Sequence, residues 1–113
     1  MDDVKLIEDG KVLIISIDGT FSISQVVKLK KSFFNFFKNK KLFIFDLSNT
    51  KWIDSFGMGF IAWVVKNAII LDSEVSIINP EKNVIDIFKK TKLVEIVTFW
   101  NSIEQAKSGL NIG

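Results

Sequence analysis

The chain has 113 residues, 48% of them hydrophobic and 25% charged, with a formal net charge of +2. That is the length and composition of one folded domain spanning 1–113, neither disordered nor in need of disulfide staples. His, Cys, Tyr and Arg are absent, which excludes the usual zinc sites, thiol nucleophiles and histidine proton relays. It also removes the bidentate guanidinium clamp for phosphate or guanine, and so small a net charge does not point to nucleic acid.

In chain order, Lys5 to Glu8 is a short apolar-rich run closed by the turn signal Asp9-Gly10. Val12 to Ile17 follows as a buried strand that stops at Asp18-Gly19, so the two runs predict a hairpin. Ser22 and Ser24 are candidate helix caps. Val26, Leu29, Phe33, Phe36 and Phe37 then share one helical face, and that helix ends near Lys38-Asn39. Leu42 to Phe45 is a second buried strand, and Leu47 to Asp54 is expected as a loop. A helix starts at Asp54 or Ser55 and runs to about Leu71. Val75 to Ile78 is a strand stopped by Asn79-Pro80, Asn83 caps a short helix, Ile96 to Phe99 is a last strand, and Ser102 caps a final helix ended by Gly109. Strands alternating with helices predict an α/β fold: a mixed sheet of four to five strands with about four helices packed on it.

The acidic start Met1-Asp2-Asp3 and the break at Glu8-Asp9-Gly10 argue against a signal peptide. The most apolar stretch, Phe56 to Leu71, is interrupted by Lys66 and Asn67 and falls short of the ~20 residues a membrane span needs. The expectation is a cytoplasmic protein with no membrane insertion.

The segment Phe43 to Ala68 reads FIFDLSNTKWIDSFGMGFIAWVVKNA. It resembles the signature of the STAS family: an apolar strand, Asp-Leu-Ser, a short loop, then Asp-Ser-x-Gly-apolar-Gly opening an apolar helix. Asp18-Gly19, the segment Ile85 to Ile96 and the run Ser102 to Ala106 also match that family in order. The resemblance implies a non-catalytic anti-sigma factor antagonist that works by partner switching. In such antagonists the Ser of Asp-Ser-x-Gly is phosphorylated by a serine kinase that doubles as the anti-sigma factor, and that position is Ser55 here. The implied partner surface is Asp54, Ser55, Phe56, Gly57, Met58, Phe60 and Trp63, with Ser22 beside it. The alternative is a non-catalytic STAS subunit of a stress-sensing scaffold or a lipid-transport complex. Two residues depart from the pattern. Ser22 stands where the sporulation antagonists carry an Asp, in Gly19-Thr20-Phe21-Ser22, and Phe56 stands where the family usually has a small residue.

Other features have plainer explanations. Gly57 and Gly59 lack the Lys-Ser/Thr of a phosphate loop and are read as sites of close backbone packing. Met58, Ile61, Val65, Ala68 and Ile69 make one helix face, assigned to the core. Phe56, Phe60, Trp63 and Ile70 make another, which is either a partner or homodimer contact or part of a wider core. Lys28, Lys30, Lys31, Lys38, Lys40 and Lys41 lie in a stretch with no acid. They are read as a solvated face, with docking to an acidic protein or an anionic membrane surface as the alternative. Asp46 and Asp54 flank one loop and are read as structural or switch residues, with no cofactor or metal.

Overall fold

The computed structural model describes residues 3–109. Met1 and Asp2, used above to judge the N-terminus, and residues 110–113 lie outside the described residues. The elements are β1 (Asp3–Asp9), β2 (Val12–Phe21), α1 (Ile23–Phe36), β3 (Leu42–Asp46), β4 (Thr50–Ile53), α2 (Ser55–Ile70), β5 (Glu74–Ile78), α3 (Lys82–Lys89), a 3-10 turn at Lys92–Glu95, β6 (Thr98–Trp100) and α4 (Ile103–Gly109). The sheet order is β1-β2-β3-β5-β6. β1 is antiparallel to β2 and the other pairings are parallel. The α/β class is as expected, with six strands instead of four or five.

The extra strand is β4, in the segment expected to be a loop. β2 is long enough to serve two parallel partners. Val12–Ser16 pairs with β3 and Gly19–Phe21 pairs with β4, with a register shift at Gly19/Thr20. Gly19 takes φ +84° there, a conformation that L side chains rarely adopt. Four residues with a Lys and a Trp at their centre give no clear period-2 signal, so β4 is defined by its partner and not by its own pattern. Two smaller boundaries also move. Glu81, not Asn83, is the N-cap residue of α3. The last strand starts at Thr98, because Thr91 caps a 3-10 turn first and leaves Ile96 exposed at its end.

Both faces of the central strands are covered, which explains their unbroken apolar runs. Leu13, Ile15, Ile17, Phe43, Phe45, Val75 and Ile77 meet α1, α2 and α3 through residues such as Val26, Phe33, Val64 and Phe88. Val12, Ile14, Leu42, Ile44 and Ile78 meet Ala106 of α4, with Ile103 and Trp100 alongside.

α2 packs against the sheet and α1 together, so its buried arc is wider than one stripe. This corrects the expected partner surface. Phe60 is 2% exposed, with its ring 5.5 Å from Phe33 and 6.2 Å from Phe21. Met58 and Gly57 are also buried. Trp63 is half-buried, its ring 5.7 Å from Phe33 and 6.0 Å from Phe37. Ile69 errs the other way: assigned to the core, it is 60% exposed, at the rim of a groove it lines with Glu74 and Val75 of β5, Ile96, and Thr98 of β6. The lysine stretch is not one solvated face either, since Lys40 is buried in an ion pair with Glu8 of β1.

Phe60→Ala should therefore destabilise the fold by about 3–5 kcal/mol, a core-cavity effect. Phe56→Ala, at an exposed position, should change stability by no more than about 0.5 kcal/mol. Denaturant unfolding of both variants checks the pair, and comparable losses would refute the burial assignment.

Candidate functional site

The last residues of β2 and β4 are paired, Phe21 with Ile53. Each strand leads directly into a helix. Ser22 is the N-cap residue of α1 and Asp54 that of α2, so two helix starts lie side by side. The backbone N–H of Asp54 donates to Phe21 O at 3.2 Å. Asp54 Oδ1 accepts from the backbone N–H groups of Phe56 (2.9 Å) and Gly57 (3.1 Å). Its other oxygen, Oδ2, accepts the hydroxyl proton of Ser22. Ser22 N–H in turn donates to Gln25 Oε1 at 2.9 Å. The residue that departs from the sporulation-antagonist pattern is thus a hydrogen-bond donor to the cap of the neighbouring helix.

These contacts set the charge of the site. Burial alone would push the Asp54 carboxyl up, but the hydrogen bonds from Ser22, Gly57 and Phe56 favour the ionised form and together hold it below its ordinary value. An ionised Asp54 also complements the positive end of α2.

Gly57 sits where the first turn of α2 crosses the end of β2. A Cβ there would lie 2.5 Å from Phe21 O and 2.8 Å from Ile53 Cγ1, so the expected close packing is real at this position. It is absent at Gly59, whose added Cβ would meet nothing within 4 Å. Gly59 is exposed, three residues after Phe56 and four after Ser55, so all three share one outward face.

Ser55 opens α2 on the surface, and among the described residues its hydroxyl has no hydrogen-bond partner. Phe56 is 55% exposed beside it. Of the eight residues expected to form the site, Ser55 and Phe56 face solvent, while Asp54 and Ser22 are half-buried and bonded to each other. Gly57, Met58 and Phe60 point inward, and Trp63 belongs to the aromatic cluster. The structure adds Gly59, and also Ile23, which follows Ser22 and is exposed. The spacing of Gly59 from Ser55 was visible in the sequence. The approach of the α1 start to Asp54, through Ser22, depends on the pairing of β2 with β4 and had no local signal. Asp46 accepts from the backbone N–H and hydroxyl of Ser48, at 3.2 and 2.7 Å, and so closes the turn after β3. Among the described residues no group of three or more carboxylates is arranged to hold a metal.

Ser22→Ala removes the donor to Asp54 Oδ2. The Asp54 carboxyl should shift up toward its ordinary value of 3.8, and stability at neutral pH should fall by about 1 kcal/mol. A lowered folded-state pKa stabilises above the unfolded value, and that gain is lost as pH falls through the folded value. The deficit of the variant should therefore shrink on acidification, which unfolding curves at neutral and acid pH would show. Gly57→Ala should destabilise by about 1–3 kcal/mol through its backbone clash. Gly59→Ala should stabilise by up to about 1 kcal/mol through helix propensity. Equal effects at the two glycines would contradict the geometry.

The STAS domain family model matches residues 3–106. Solved structures share the fold. The NMR structure of the Thermotoga maritima protein TM1081 superposes with a TM-score of 0.82 at 23% identity, covering 96% of this chain and 88% of that one. An anti-sigma factor antagonist from Mycobacterium paratuberculosis gives 0.79 at 12% identity, covering 96% and 92%. The Bacillus cell fate determinant SpoIIAA, in its phosphorylated form, gives 0.74 at 14% identity, covering 94% and 97%. The family match spans nearly every described residue, including the Asp54–Gly59 helix start, and the chain belongs to the STAS domain family.

Proposed function

We propose that the whole chain, 1–113, is one STAS domain acting as a non-catalytic anti-sigma factor antagonist by partner switching. It binds a serine kinase that doubles as an anti-sigma factor, and phosphorylation of Ser55 releases it. The observation that carries this reading is the placement of Ser55: exposed, with its hydroxyl free among the described residues, at the first turn of a rigidly capped helix. A kinase can reach such a hydroxyl without unfolding the protein. The names of the structural neighbours, SpoIIAA among them, lend the role support.

The physical effect of the phosphate follows from its surroundings. It would bring about −1.5 to −2 charges to the positive end of α2, where the helix tolerates them. Asp54 is already ionised one residue away, so the added charge makes a strongly anionic corner on a surface whose main apolar element is Phe56. A partner that covers Phe56 would have to desolvate that phosphate or pair it with a cation of its own. The domain itself stays folded, and the corner gains the phosphate charge on top of the single carboxylate charge of Asp54.

Ser55→Asp should weaken binding to the partner kinase at least about tenfold, or 1.4 kcal/mol. Ser55→Ala should bind like the native chain and resist phosphorylation. Phe56→Ala should cost about 1–2 kcal/mol of binding with no loss of fold. Titration calorimetry, with thermal melts alongside, measures all three. Undiminished binding by Ser55→Asp would end the switch assignment. Capture of scaffold or transporter subunits instead of a kinase from the native cell would favour the structural-subunit reading.

A further inference from the structure

The proposed switch uses only one end of α2. The other end lies about 24 Å away, at roughly 1.5 Å per residue over its 16 residues. It is closed by a hydrogen-bonded cap. Ser73 N–H donates to Ala68 O at 2.7 Å, Asp72 N–H donates to Ile69 O at 3.1 Å, and Asp72 takes the left-handed conformation with φ +57°. The cap holds Ile69, Ile70 and Leu71 outward, 60%, 73% and 42% exposed. Successive helical residues turn by about 100°, so the three splay over more than half the helix circumference. A flat protein partner would cover one side of such a tip and leave the rest wet. A fluid apolar medium takes it in from every side.

Lysines flank the tip on the side of the loop between α1 and β3. The loop after α1 lies against it: Glu74 N–H donates to Lys41 O at 3.0 Å and Ser73 Oγ to Lys40 O at 2.6 Å. Lys41 N–H donates to Lys11 O at 2.7 Å, which brings the β1–β2 turn to the same end. Lys11, Lys38 and Lys41 are exposed, as is Lys66, one turn back from Ile70. Of the carboxylates here, Glu8 is paired with Lys40 and Asp9 with Lys107. Asp72 and Glu74 remain, with exposed Glu95 next to Ile96 on the β6 side of Ile69: three carboxylates set against those four lysines. The end is therefore cationic on one side of an apolar point.

We propose that this end of the domain docks on an anionic membrane surface. Ile69, Ile70 and Leu71 enter the boundary between headgroups and acyl chains, and Lys11, Lys38, Lys41 and Lys66 meet the lipid phosphates. Lysine suits the task, because its apolar stem can lie along the buried tip while its ammonium reaches the headgroups. Among the described residues no helix is long and apolar enough to cross a membrane, so the attachment is peripheral. Ser55 stays on the opposite end and remains open to a protein partner while the domain is docked.

The test is co-sedimentation of the full chain with phosphatidylcholine vesicles carrying about one third phosphatidylglycerol, at low salt. The native chain should pellet with them, pellet much less with pure phosphatidylcholine, and be released by added salt. The double variants Ile69→Ser/Ile70→Ser and Lys38→Glu/Lys41→Glu should each lower partitioning at least about tenfold while keeping native thermal melts. Failure of the native chain to pellet with anionic vesicles, equal pelleting with neutral ones, or full retention by both variants overturns the proposal. So does a native dimer that Ile69→Ser/Ile70→Ser converts to monomer in sedimentation velocity, because a second copy would then be what covers the tip.

Discussion

The carboxylate of Asp54 is the contact on which the candidate site depends. One oxygen takes the first free N–H groups of α2, and the other takes the hydroxyl of Ser22 at the start of α1. A single ionised group thus fixes two helix starts relative to each other and to the paired ends of β2 and β4. Ser55 inherits its position from this arrangement. It is the first residue after a cap whose partners are all satisfied within the protein, which leaves its own side chain directed to solvent.

The same arrangement bears on the departure at Ser22. An Asp at that position would set a second carboxylate against Asp54, at a cost in like-charge repulsion unless a proton or cation came between them. A Ser supplies a donor instead and lowers the charge of the corner by one. The resting surface around Ser55 is therefore less acidic than two carboxylates would make it, and a phosphate added there produces a larger relative change in potential.

α2 performs three separable tasks along its length, and the burial pattern divides them. Its start presents Ser55, Phe56 and Gly59. Its middle, with Phe60, Ile61, Val64 and Val65, joins the sheet to α1. Its end carries Ile69 and Ile70 past the edge of the core. This explains why so apolar a helix has so weak an apolar-polar division. Apolar residues serve the core in the middle and are left exposed at the end.

Much of the fold was legible in the sequence because it rests on local signals. The buried strands are continuous apolar runs, the β1–β2 turn carries Gly10 at positive φ, and Asp54 is a cap residue followed by a helical stretch. The sequence by itself therefore determined the α/β class, the family and a helix starting at Asp54 or Ser55. The tertiary structure alone decided three further matters. β4 became a strand because β2 runs on past β3 and offers it an edge. Phe60 and Trp63 pack on Phe33 of α1, a second covered side of α2 that no period within α2 records. Ser22 and Asp54, 32 positions apart, became partners because parallel pairing ends their two strands at the same level. Hydrophobic periodicity reports only that a side chain avoids water. Which neighbour it packs on, and which caps meet, is settled when distant segments are brought together.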